Sequence, residues 1–123
     1  MTGIAKAFFL TAIVYGVLGM GLGLAMAMSQ DHGQMPTHAH IMVVGWLSFA
    51  VFGLFYHLFA DFVPKLAATI HFWLAQISLV GLIIGLGLLY SGRPEMEPIA
   101  AISSIAYAVS FVLFAGIAIK ATR

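Results

Sequence analysis

Four long apolar runs separated by three short polar interruptions make up nearly the whole chain. They fall at about residues 7–29, 38–60, 66–90 and 98–119. About 20 apolar residues cross the ~30 Å hydrocarbon core of a bilayer, so each run is long enough to span it as a helix. The interruptions are Gln-Asp-His-Gly-Gln-Met-Pro-Thr at 30–37, the Asp61–Lys65 turn with Pro64, and Ser-Gly-Arg-Pro-Glu-Met-Glu at 91–97. Thr37 is placed to cap the second helix. The pattern predicts an all-α integral membrane protein, a single domain of four transmembrane helices over residues 1–123. Ala25-Met26-Ala27 imitates a signal-peptide cleavage site. The first run is longer than the ~7–15-residue apolar core of a signal peptide, so a retained span is expected.

Small residues recur at helical spacing. Gly19 and Gly23 form one GxxxG pair and Gly81 and Gly85 a second, while the fourth run carries Ala100, Ala101, Ser103, Ser104, Ala106, Ala108 and Ser110. Such residues let helices approach closely in lipid, between copies of a chain or within one. Lys6, Lys65, Lys120 and Arg123 fall on one side of the predicted membrane and only Arg93 on the other. The excess of positive charge on cytoplasmic segments then places both termini in the cytoplasm and the 30–37 loop at the outer face. A multi-pass protein of the cell membrane, most simply a bacterial inner membrane, is the expectation. The composition is 63% hydrophobic and 7% charged, with a net charge of +1, which leaves no electrostatic footprint for nucleic acid. Cysteine is absent, which excludes disulfides, iron–sulfur clusters and covalent c-type haem. Any cofactor must be held by His, Met, Tyr or carboxylate.

The second run opens with His38-Ala-His40. Ionisable residues in apolar helices are expensive and face a protein interior or a cavity. At about 100° per residue, the two histidines lie roughly 200° apart, so one helix offers an imidazole to two different neighbours. That spacing suits a single zinc less well than an i, i+4 pair does. His32, Met26, Met28 and Met35 surround the same end, and thioether with imidazole suits Cu(I). His57 and His71 sit on either side of the 61–65 turn, where they could meet as a second cofactor site or a proton-carrying pair.

The pattern His38-x-His40-Ile41, Gly45-Trp46, Phe52-Gly53, Tyr56 and Leu58 resembles the tenth helix of subunit I in the haem-copper oxidase superfamily, nearest to the C-type oxidases and the nitric oxide reductases. The resemblance covers roughly a fifth of the chain. It implies that His38 and His40 are axial ligands of haem iron, the first toward one haem and the second toward another. Trp46, two turns below His38, is then placed to pack against a macrocycle, and Asp31 to order an imidazole or a propionate, while Arg93 pairs with a propionate or, as a solvated loop charge, with Glu95 or Glu97. The departures are large. That family's subunit has twelve spans against four here, and neither copper-ligand histidines nor a cross-linked His–Tyr pair is present. Twelve is three fours, and the family fold is a pseudo-threefold ring of four-helix arcs. A homotrimer of this chain would reproduce that ring, with His40 of one protomer and His38 of the next clamping one haem b.

The leading expectation is therefore a membrane haem b-binding protein that transfers electrons with a redox partner, or binds a gas, without being a complete oxidase. The alternatives are an outer-face copper-binding protein and an accessory subunit without a cofactor. A small multidrug transporter is disfavoured, because the first span has no carboxylate between Lys6 and Asp31.

Overall fold

A computed structural model describes residues 1–123. It contains four long helices: α1 (Gly3–Ser29), α2 (Met35–Leu58), α3 (Lys65–Leu89) and α4 (Glu97–Ala121). There are no strands. All four helices are long and apolar enough to cross a membrane. Short 3₁₀ turns, Ala60–Phe62 and Pro94–Met96, lead into α3 and α4.

The helix ends differ from expectation where local chemistry overrides hydropathy. α1 starts before its apolar run, and Lys6 lies exposed in the opening turns. A lysine stem can cover apolar surface while its ammonium reaches water. α1 ends at Gln30, which adopts the left-handed conformation (φ 58°) and returns its side-chain amide to the carbonyl of Ala27 at 2.7 Å. Thr37 is not the cap of α2. The helix begins at Met35, with Gln34 in the cap position and Pro36 in the first turn. Proline is preorganised for that turn and loses nothing by lacking an N–H there. Thr37 is instead buried one turn in, and its hydroxyl donates to Oε1 of Gln34 at 2.7 Å.

The helices pack as two hairpins, α1 on α2 and α3 on α4. Both GxxxG pairs are used inside the chain. A Cβ on Gly19 would stand 3.0 Å from Ile41, and one on Gly23 would stand 2.9 Å from the ring of His38. A Cβ on Gly85 would lie 2.8 Å from the backbone nitrogen of Ala100 on α4. In lipid, where apolar burial gives helices little reason to associate, such backbone proximity is what lets them gain contact.

Polar bonds join the hairpins at three levels. At one end Gln34 donates to the carbonyl of Gly87 (3.0 Å) and to the hydroxyl of Ser91 (2.9 Å). Midway, Tyr107 of α4 donates to the carbonyl of Val44 on α2 at 3.2 Å. Toward the other end, the hydroxyl of Tyr56 is 2.8 Å from Nδ1 of His71. His71 is fully buried, with ring centroids of Phe52, Phe8 and Phe114 at 4.7, 5.1 and 5.4 Å. The suggested meeting of His57 with His71 does not occur. Phe49, Phe52, Gly53 and Tyr56 form the buried face of α2, and His57, about 100° further round, is exposed.

Two outcomes follow for stability. Tyr56→Phe leaves His71 Nδ1 without a partner in the core, at a cost of about 1–3 kcal/mol. Adding His71→Phe should restore most of that loss, so a double-mutant cycle from unfolding in mild detergent should show strong coupling. Additive losses would mean that the bond contributes nothing. Separately, Gly85→Leu should lower stability by about 1–3 kcal/mol through overpacking against α4. Gly87→Leu should have little effect, because a Cβ there meets nothing within 4 Å. Equal thermal midpoints for the two variants would contradict the α3–α4 packing.

Candidate functional site

The site is built on the first third of α2. Between Ile41 and Leu47 the helix widens from α to π geometry. Pairing then runs from residue i to i+5, and such segments are rare and concentrate at functional sites. The wide turns pack against α1. Gly19 faces Ile41 and Met42 there, and a Cβ on Gly45 would fall 2.9 Å from Tyr15. Carbonyls of the wide segment take extra partners. Val43 accepts from the hydroxyl of Ser48 at 2.9 Å, and Val44 accepts from Tyr107.

His38 and His40 stand just before this segment and leave the helix toward different neighbours. The His38 ring lies against Gly23 of α1, and its Nδ1 is 2.7 Å from the carbonyl of Gly19. Nδ1 of His40 is 2.7 Å from the carbonyl of Pro36, one turn back on its own helix. A carbonyl can only accept, so in both rings Nδ1 carries the proton and donates. In a neutral imidazole that leaves Nε2 as a bare lone pair. Both residues are half-buried, and neither Nε2 is sealed in the interior without a partner, as Nε2 of His71 is. Two imidazoles thus offer unprotonated Nε2 atoms at the protein surface, each oriented through its other nitrogen. Donation of the second ring N–H to a carbonyl is the usual support of a metal-ligating histidine, since it fixes the tautomer and raises basicity.

His40 borders a groove of about 540 Å³ between α2, α3 and α4. Val44, Leu82, Tyr107 and Phe111 supply most of its apolar lining, with Ser48 and Ser104 as polar points. Cofactor sites fall in the range of roughly 300–1,000 Å³ and combine an apolar lining with a few polar groups. The groove is open to the surface and apolar with a few polar points, and His40 and Tyr107 are the side chains in it able to ligate a metal.

The other residues singled out by sequence fall elsewhere. Trp46 lies over Gly16 of α1 and lines a smaller cleft of about 220 Å³ with Met42, Ile13 and Met20. That cleft is on the α1 side of α2, so Trp46 does not line the His40 groove. Arg93 is exposed in the turn before α4 and lines neither cleft. Asp31 accepts from the backbone N–H of Gly33 at 2.9 Å, closing its own loop. His32 sits 3.3 Å from the carbonyl of Gln30, while Met28 and Met35 are exposed and Met26 is buried. These groups are not drawn together with His38 and His40, and no three His, Asp or Glu side chains converge anywhere in the chain. His71 belongs to the aromatic core at the opposite end, and His57 is exposed there.

Gln34 and Pro36 were not singled out by sequence, and Gly19 only as half of a GxxxG pair, although Gly19 and Pro36 hold the two histidines. Gly19 and Pro36 act through main-chain carbonyls, which no side-chain pattern reports. The only trace of the π segment is the run Val43-Val44-Gly45, two β-branched residues and a glycine, all poor helix formers. No protein-family model, curated protein or solved structure matches the chain.

Proposed function

We propose that this chain is a haem b-binding membrane protein related to a four-helix arc of haem-copper oxidase subunit I, and that His38 and His40 are its iron ligands. The observation that carries the reading is the paired anchoring of Nδ1 on the Gly19 and Pro36 carbonyls, which leaves Nε2 of each neutral ring as its free acceptor. The apolar groove beside His40 supplies the space for a macrocycle. Bound there, haem b supplies one-electron chemistry at its iron. His40 binds and orients it, and Val44, Leu82 and Phe111 exclude water from its face.

The two imidazoles face different neighbours, so one chain does not close both axial positions of one haem in the His40 groove. The proposed assembly is a ring in which the α1–α2 side of one protomer, bearing His38, meets the groove of the next. Head-to-tail contacts of this kind close into rings. Three protomers would give the twelve-helix ring of the resembling family. Most of the apolar surface of α4 is left uncovered by the other three helices, which leaves room for either lipid or a second protomer. Two histidine ligands would suit electron transfer with a redox partner, whereas a single ligand would leave room for a gas. Both termini lie in the cytoplasm in this reading, and the histidine end faces outward.

The visible spectrum of the purified protein tests the proposal. Protein made with haem available should have a Soret band, with sharp α and β bands after dithionite. His40→Ala should remove haem from its groove. His38→Ala should leave a high-spin, CO-responsive spectrum. Native mass should fall at three chains, with one haem per chain. Unchanged haem content in both alanine variants would overturn the ligand assignment, and a haem-loaded monomer with the same spectrum would overturn the ring.

A further inference from the structure

Charge is divided unevenly between the two ends of the bundle. The end formed by the termini and the 59–64 turn carries Lys6, Lys65, Lys120 and Arg123 against one carboxylate, Asp61. The opposite end carries Asp31, Glu95 and Glu97 against Arg93. At the basic end a groove of about 400 Å³ runs between the 59–64 turn, the start of α3 and the last turns of α4. Phe62, Pro64, Val112, Gly116 and Ile117 line it, and Lys120 stands where α4 runs out.

Nothing in the chain fills this groove. A Cβ built on Gly116 would meet no atom within 4 Å, so the glycine leaves an open notch in α4. Phe62 and Val112 rise beside it, 69% and about 72% exposed. The long axis follows α4, and Lys120 is the only charged side chain in the lining. An apolar channel along a transmembrane helix that ends at an ammonium matches an acyl chain below a phosphate. Basic pockets between transmembrane helices select anionic headgroups. The lysine stem adds apolar surface while its charge reaches the headgroup level. The acidic opposite end would repel the same headgroup.

We propose that this groove binds one anionic phospholipid, with an acyl chain over Gly116 between Phe62 and Val112 and its phosphate on Lys120. Val112 also lines the His40 groove, so the seated chain forms the lower edge of that groove. The site stands whether or not haem binds.

Native mass spectrometry of the full chain, extracted in mild detergent with equimolar phosphatidylglycerol and phosphatidylethanolamine of identical acyl chains, tests it. The wild type should retain one phosphatidylglycerol at least fivefold over phosphatidylethanolamine. Lys120→Gln should abolish that preference. Gly116→Leu, which fills the notch, should reduce retention of either lipid at least fivefold. Neither position touches the packed interior, so unfolding midpoints should stay at the wild-type value and confirm intact folds. Arg93→Gln, at the opposite end, should change nothing. Equal retention of both lipids by the wild type would overturn the proposal, as would wild-type behaviour of both groove variants. Gly116→Leu that dissociates an oligomer without losing lipid would assign the groove to a second copy and overturn it too.

Discussion

The structure depends on how polar groups are satisfied in a chain that offers lipid almost nothing but apolar surface. A polar atom left unpaired in hydrocarbon costs several kcal/mol, so polar side chains in the helices must find partners within the protein. Gln34, Tyr107 and Tyr56 do so at three levels, while the Tyr15 hydroxyl, Nε2 of His71 and Oε1 of Gln76 stay buried without a partner. Each bond runs from one helix hairpin to the other. The glycines bring the helices of a hairpin together, and these bonds set how the hairpins meet. The interior between them is aromatic and close-fitting, with Phe8, Phe49 and Phe52 fully buried. The groove beside His40 lies where α4 meets α2 through Tyr107, and both partners of that bond line it.

The same accounting extends to main-chain carbonyls. In an α-helix each internal carbonyl accepts one backbone N–H and keeps a second lone pair, which Gly19 and Gly87 offer to His38 and Gln34. In the π segment the carbonyls of Val43 and Val44 accept from Ser48 and Tyr107 in the same way. The hairpin contact through Tyr107 thus falls within the irregular part of α2, directly after His40.

Hydropathy alone located all four spans, because length and apolarity are what a bilayer demands of any helix. The ends were less legible. Thr37 read as a cap because its type favours that position, yet Pro36 let the helix begin earlier and drew Thr37 inside. The glycine spacing was visible, but not whether it served one chain or several, and the contacts of Gly19, Gly23 and Gly85 place it within the chain. His38 and His40 stood out as two titratable residues in an apolar run, and their divergence followed from helical angle. The proximity of His57 and His71 in sequence to one turn suggested a pair. A single step of about 100° put Tyr56 in contact with His71 and His57 outside. The carbonyls that orient the histidines have no sequence signature, because every residue has one.

Those carbonyls bear on what the histidines are for. A histidine that serves only as a polar cap at a membrane boundary is free to turn both nitrogens to water. Here each Nδ1 is withdrawn into a 2.7 Å bond with a main-chain carbonyl. The neutral ring is then held in one tautomer, with Nε2 as its remaining acceptor. His40 itself borders a groove whose walls are apolar. An acceptor held beside such walls gains little from water and much from an electrophile. His38 is held the other way, against Gly23 of α1, so the two imidazoles serve different surfaces of α2 and each is fixed by a carbonyl of a different element.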